Sequence, residues 1–97
     1  MFTIEEIKSA VTKVGKKYGI KSAYLFGSYA KGRATKDSDI DILIDAGAIR
    51  SYIGISGFRL ELMNELNGTD VDVITTDGIL PRFFDLIKND RIALYAA

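Results

Sequence analysis

Cysteine and histidine are both absent from this chain of 97 residues, and proline occurs once. Without thiols there is neither a disulfide framework nor a thiolate metal site. Without imidazole the usual general base is missing as well. Any catalysis must therefore run on carboxylates, hydroxyls, backbone amides, lysine and arginine. An excess of charge of one sign is also lacking, because 13 Lys and Arg balance 13 Asp and Glu. That balance, with a sequence pI near 6.2, argues against a general nucleic-acid binder, which carries a basic stripe and a high pI. No run approaches the roughly 20 apolar residues of a membrane helix, and "MFTIEEIKSAVTKVGKKYGI" mixes acids and bases through its apolar positions, unlike a signal peptide. The expectation is a soluble, cytoplasmic protein with no membrane partner. Repeats, low-complexity tracts and linkers are missing too, so residues 1–97 read as a single domain, with 47% apolar content sufficient for one modest core.

What is present is a clear set of periodicities. Thr3 followed three residues later by Glu6 is a capping-box pattern, and Ile4, Ile7, Val11 and Val14 recur at helical spacing, so a helix is predicted from about Thr3 to Tyr18. Lys16 and Lys17 read as its solvated end. "SAYLF" is short, apolar and aromatic and predicts a strand from Ser22 to Phe26, followed by a short helical turn and a polar loop. "DIDILID" alternates strictly, with Ile40, Ile42 and Ile44 on one face and Asp39, Asp41 and Leu43 on the other. A second long helix is predicted from Tyr52 to Asn67, N-capped by Ser51, striped by Ile55, Phe58, Leu62 and Leu66 and stopped by Gly68. "DVDVIT" predicts a third strand and "LPRFFDLIKN" a third helix with Pro81 in its first turn and Phe83 and Phe84 in the core. "RIALYAA" reads as a short strand or a docked tail. The fold class is α/β of the α+β type: a small mixed sheet of three to four strands, covered on one face by helices and free on the other for a site.

The unusual feature is acid at the start of an apolar strand. Residues two apart in a strand share a face, so Asp39 and Asp41 project together at a spacing that suits a shared divalent cation. Asp72 has the same setting in the third strand, between Val71 and Val73, which face the other way. If the second and third strands are neighbours in register, three carboxylates converge. Hard oxygen ligands without His or Cys point to Mg²⁺ rather than Zn²⁺. In "GSYAKGR", Gly27 allows close backbone approach, Ser28 adds a hydroxyl at a helix start where phosphate is favoured, and Lys31 and Arg33 can reach the same anion.

Taken singly, each feature has a plainer reading. A Gly-Ser turn is usually a turn, "DSDID" suits an edge strand whose charges deter aggregation, and a lone Asp72 suits a solvated face. An EF-hand is excluded because its sixth position is Ile42 rather than Gly and its twelfth is Ala48 rather than Glu. A Walker loop is excluded because Lys31 precedes Gly32.

The combination "GSYAKGRATKDSDIDILI" resembles the signature of the nucleotidyltransferase superfamily related to DNA polymerase beta, in which Gly-Ser is followed after about a dozen residues by an Asp-x-Asp strand. "VDVIT" looks like that family's third-carboxylate strand, and the remainder of the chain looks like a minimal nucleotidyltransferase. The resemblance implies a nucleotidyltransferase fold in which Gly27 and Ser28 hold the triphosphate. It further implies that Asp39 and Asp41 bind two Mg²⁺ ions, and that Asp72 completes one metal site and draws the proton from the attacking hydroxyl. Lys31 stands where many relatives have Arg, which keeps the charge and loses the bidentate fork.

The resemblance also implies a partner. The larger members carry a further domain that binds the acceptor; the minimal ones are paired with a small helical HEPN toxin, a ribonuclease. The leading expectation is an antitoxin that transfers AMP from ATP to a tyrosine of such a toxin, as in a type VII-like toxin–antitoxin pair. The alternatives are an antitoxin acting by binding alone, nucleotidyl transfer to a small molecule, and, weakest, a template-independent polymerase, since no nucleic-acid track is apparent.

Overall fold

Residues 1–78 and 91–97 are described in the structure, a computed structural model. Helix α1 (Ile4–Tyr18) starts on the expected capping box: Glu6 N donates to Thr3 Oγ1 at 3.1 Å and Thr3 N donates to Glu6 Oε1 at 2.9 Å. It ends at Gly19, whose φ of +72° lets its N–H turn back to the Gly15 carbonyl. Strand β1 (Ser22–Phe26) runs straight into a four-residue helix α2 (Gly27–Ala30). Strand β2 (Ile40–Asp45), helix α3 (Tyr52–Glu65), strand β3 (Val71–Thr75), a 3₁₀ turn (Thr76–Gly78) and strand β4 (Ile92–Ala96) follow. The helix expected at residues 80–89, with Pro81, Phe83 and Phe84, lies outside the described residues.

The four strands form one mixed sheet in the order β3-β2-β1-β4, with β1 antiparallel to β2 and β4, and β2 parallel to β3. The carboxy-terminal "RIALYAA" is thus a strand rather than a docked tail. The side chains of Ile40, Ile42 and Ile44 pack with Ala23, Leu25, Val71 and Leu94 beneath Ile7, Val11 and Val14 of α1 and Phe58 and Leu62 of α3. Burying these side chains, most of them fully inaccessible, is the main stabilising term, worth about 1.5–3 kcal/mol for each large aliphatic or aromatic group.

Three details depart from expectation. Helix α3 stops at Glu65 rather than Asn67, because Asn67 (φ +57°) and Gly68 (φ +80°) both adopt left-handed backbone. Lys17 is not merely a solvated helix end: its Nζ lies 2.8 Å from Glu61 Oε1, and Lys13 reaches Glu65 at the same distance, tying α1 to α3. Leu43, on the carboxylate face, is fully buried, so that face is not open along its whole length.

Candidate active site

Strand direction brings the chemistry to one end of the sheet. Because β1 and β2 are antiparallel, the carboxy-terminal end of β1 lies beside the amino-terminal end of β2, with Phe26 opposite Asp41. Because β2 and β3 are parallel, Asp72 lies directly beside Asp41. Partnered residues of neighbouring strands share a face. The expected register of the two acidic strands is therefore met, and both carboxylates project from the face opposite the helices.

The turn after β1 closes on this pair. Gly27 has φ +73°, and a Cβ placed there would overlap Asp41 Oδ2. Glycine is required twice over, by the left-handed backbone and by the nearness of the carboxylate. Ser28 is the second residue of α2, and its carbonyl accepts from Arg33 N at 2.8 Å, which folds the following loop back on the turn. Lys31 and Arg33 are exposed there. The loop is tightened by Ser38, whose hydroxyl accepts from Thr35 N at 2.8 Å, and it delivers Asp39, exposed, to the position just before β2 rather than within it.

The convergence of carboxylates is partial. Among the described residues no three acidic groups close into a metal-holding cluster; Asp72 and Asp39 both act on Asp41 through their charge. Like charges repel, which opposes a closer approach. Burial, reinforced by the nearby carboxylates of Asp72 and Asp39, pushes the half-buried Asp41 carboxyl up to about 6. Among the described residues, Lys13 and Lys17 pair with Glu65 and Glu61 and not with these three acids. An all-oxygen donor set whose ionised form is destabilised by its neighbours fits a hard divalent cation.

One residue that sequence reading missed is Arg59 of α3, whose Nε donates to the Val71 carbonyl at 2.7 Å, immediately before Asp72. Nothing in the periodicity of α3 singles it out. A cavity of about 630 Å³ lies elsewhere, at the far ends of β2 and β3, bordered by Asp45, Arg50, Tyr52, Thr75 and Asp77. Four residues of strand separate Asp41 from Asp45, or about 13 Å, so this cavity is not the carboxylate site.

One end of a small mixed sheet thus sets paired carboxylates beside a glycine-serine turn. The nucleotidyltransferase domain profile matches residues 7–94, and the chain belongs to that family. It is 38% identical over 89 residues to a provisionally named protein adenylyltransferase of Methanocaldococcus jannaschii, covering 92% of this chain and 95% of the relative. It is 36% identical over 83 residues to the protein adenylyltransferase MntA of Thermococcus cleftensis, covering 81% and 84%. In fold it matches a toxin–antitoxin crystallised with AMP-PNP (TM-score 0.79, 23% identity, 93% of this chain and 73% of the other). It also matches a complex of a tri-AMPylated Shewanella oneidensis HEPN toxin with its MNT antitoxin (TM-score 0.74, 20% identity, 98% and 74%). Among the described residues no helix is long and apolar enough to cross a membrane.

Proposed function

We propose that residues 1–97 act in the cytoplasm as one Mg²⁺-dependent nucleotidyl-transfer domain that moves AMP from ATP to a hydroxyl, that of a tyrosine, on a partner HEPN toxin, and so serve as its antitoxin. The observation that carries this reading is the register that sets Asp41 beside Asp72, with the Gly27 turn closed against Asp41. The named activities of the relatives and the AMPylated toxin beside its antitoxin support the choice of nucleotide and acceptor.

In this reading Gly27 and Ser28 hold the triphosphate, with Lys31 and Arg33 at hand for its outer oxygens. Asp39, Asp41 and Asp72 hold the cations, which when bound neutralise the charge that develops on the attacking and leaving oxygens. The acceptor oxygen forms a bond to the α-phosphorus, the bond from that phosphorus to the bridging β-oxygen breaks, and pyrophosphate leaves. Asp72, the more exposed of the two paired carboxylates, takes the hydroxyl proton. Positioning and electrostatics suffice for such a displacement, so the absence of histidine is no obstacle.

The test is an intact-mass comparison of a helical HEPN partner, if a neighbouring gene encodes one, after incubation with this protein, Mg²⁺ and ATP. A gain of one or more AMP units, lost when Asp39→Asn and Asp41→Asn are combined, is expected. An unmodified partner that is nonetheless bound and silenced would leave an antitoxin acting by occlusion.

A further inference from the structure

We propose that Arg59 is the positioning residue for Asp72: it holds the peptide that carries this carboxylate, and the cation affinity of the site depends on it through Asp72. The inference rests on the nucleotidyl-transfer reading of the site. Strand β3 is the outer strand of the sheet, paired with β2 on one side only. Carbonyls alternate in direction along a strand. The Asp70 carbonyl turns inward and accepts from Ile40 N at 3.0 Å, so the Val71 carbonyl turns outward, to the unpaired edge. There it accepts from Arg59 Nε at 2.7 Å in a part-buried setting, a charge-assisted bond stronger than the water contact that an edge carbonyl otherwise makes.

A trans peptide is rigid, with its carbonyl and N–H pointing opposite ways. The unit joining Val71 to Asp72 is therefore clamped on both sides, its carbonyl by Arg59 and its Asp72 N–H by the β2 ladder. Asp72 is itself exposed, and nothing else described restrains its backbone from the outer edge. Helix α3 is also tied on its opposite flank, where Glu61 and Glu65 pair with Lys17 and Lys13 of α1. Phe58, next to Arg59, is fully buried between helix and sheet. Groups that orient a cation ligand from behind commonly change its affinity by an order of magnitude.

The experiment titrates Mn²⁺, with a non-hydrolysable ATP analogue present, into the intact protein and follows binding by electron paramagnetic resonance, alongside exchange of the Asp72 amide by NMR. Arg59→Met is expected to weaken Mn²⁺ binding about tenfold and to speed exchange at Asp72, and Arg59→Lys, which keeps a charged donor, to recover part of both. In an Asp72→Asn background, Arg59→Met is expected to cause no further loss, because the coupling runs through the missing carboxylate. Unchanged Mn²⁺ affinity in Arg59→Met, or an equal loss in the Asp72→Asn background, overturns the proposal while leaving the nucleotidyl-transfer reading intact. A wild-type protein that binds no Mn²⁺ overturns that reading, and this inference with it.

Discussion

Asp41 is half-buried with two other acids beside it. Its carboxyl titrates near 6 rather than at its ordinary 3.8, chiefly because it is partly withdrawn from water and then because Asp72 and Asp39 stand beside it. A raised carboxyl pKa in the folded state means that the fold keeps a proton the unfolded chain has lost. Stability from this group is therefore full below about pH 4, falls as pH rises through the window up to about 6, and stays reduced above it. In chelator, Asp41→Asn is expected to raise the melting temperature over the parent by a few degrees at pH 7.5, with the difference vanishing at pH 4; an equal gain at both would show that charge is not its cause. The shared face of Asp41 and Asp72 was legible in the sequence because alternation assigns the face of a strand residue, whereas Asp39 lies just before the strand. Arg59 was not, because its role depends on a carbonyl 12 residues away whose direction is set by the sheet.

At the scale of elements, the described helices and strands followed their local signals closely. Capping by Thr3 and Ser51 started α1 and α3, and left-handed Gly19 and Asn67-Gly68 ended them. Helix α3 has the less regular pattern, with Tyr52, Ile53 and Leu60 exposed, so its placement rests on a few inward groups. Phe58 is the largest: fully buried, it meets the Tyr18 ring edge-on at 5.8 Å between centroids. Phe58→Ala is expected to cost about 3–5 kcal/mol in urea unfolding, a large share of the stability of a domain this small. A loss under 1 kcal/mol would mean that α3 is held mainly by its ion pairs to α1.

At the scale of the molecule, the candidate site is assembled from three separate segments: the turn after β1, the start of β2 and the start of β3. A ligand that touches all three joins distant parts of the chain and stabilises the folded state by mass action, by about 2.7 kcal/mol at a hundred times its dissociation constant. Mg²⁺ with a non-hydrolysable ATP analogue is expected to raise the melting temperature by several degrees, and Asp39→Asn combined with Asp41→Asn to abolish the shift. A shift that survives in the double variant would place the nucleotide elsewhere, for instance in the cavity beside Arg50 and Asp77.

Local sequence determined the alternating strands, the capped helices, the turn glycine at position 27 and the identity of the acids, because each of these depends on neighbours a few residues away. It also carried the family, through the order and spacing of Gly27-Ser28, Asp39-x-Asp41 and Asp72. Only the tertiary structure decided that β2 and β3 lie parallel with Asp41 beside Asp72, that Asp39 stays outside the strand, and that Arg59 grips the edge of β3. Those outcomes depend on strand order and on which peptide groups the sheet leaves unpaired, and no local pattern encodes either.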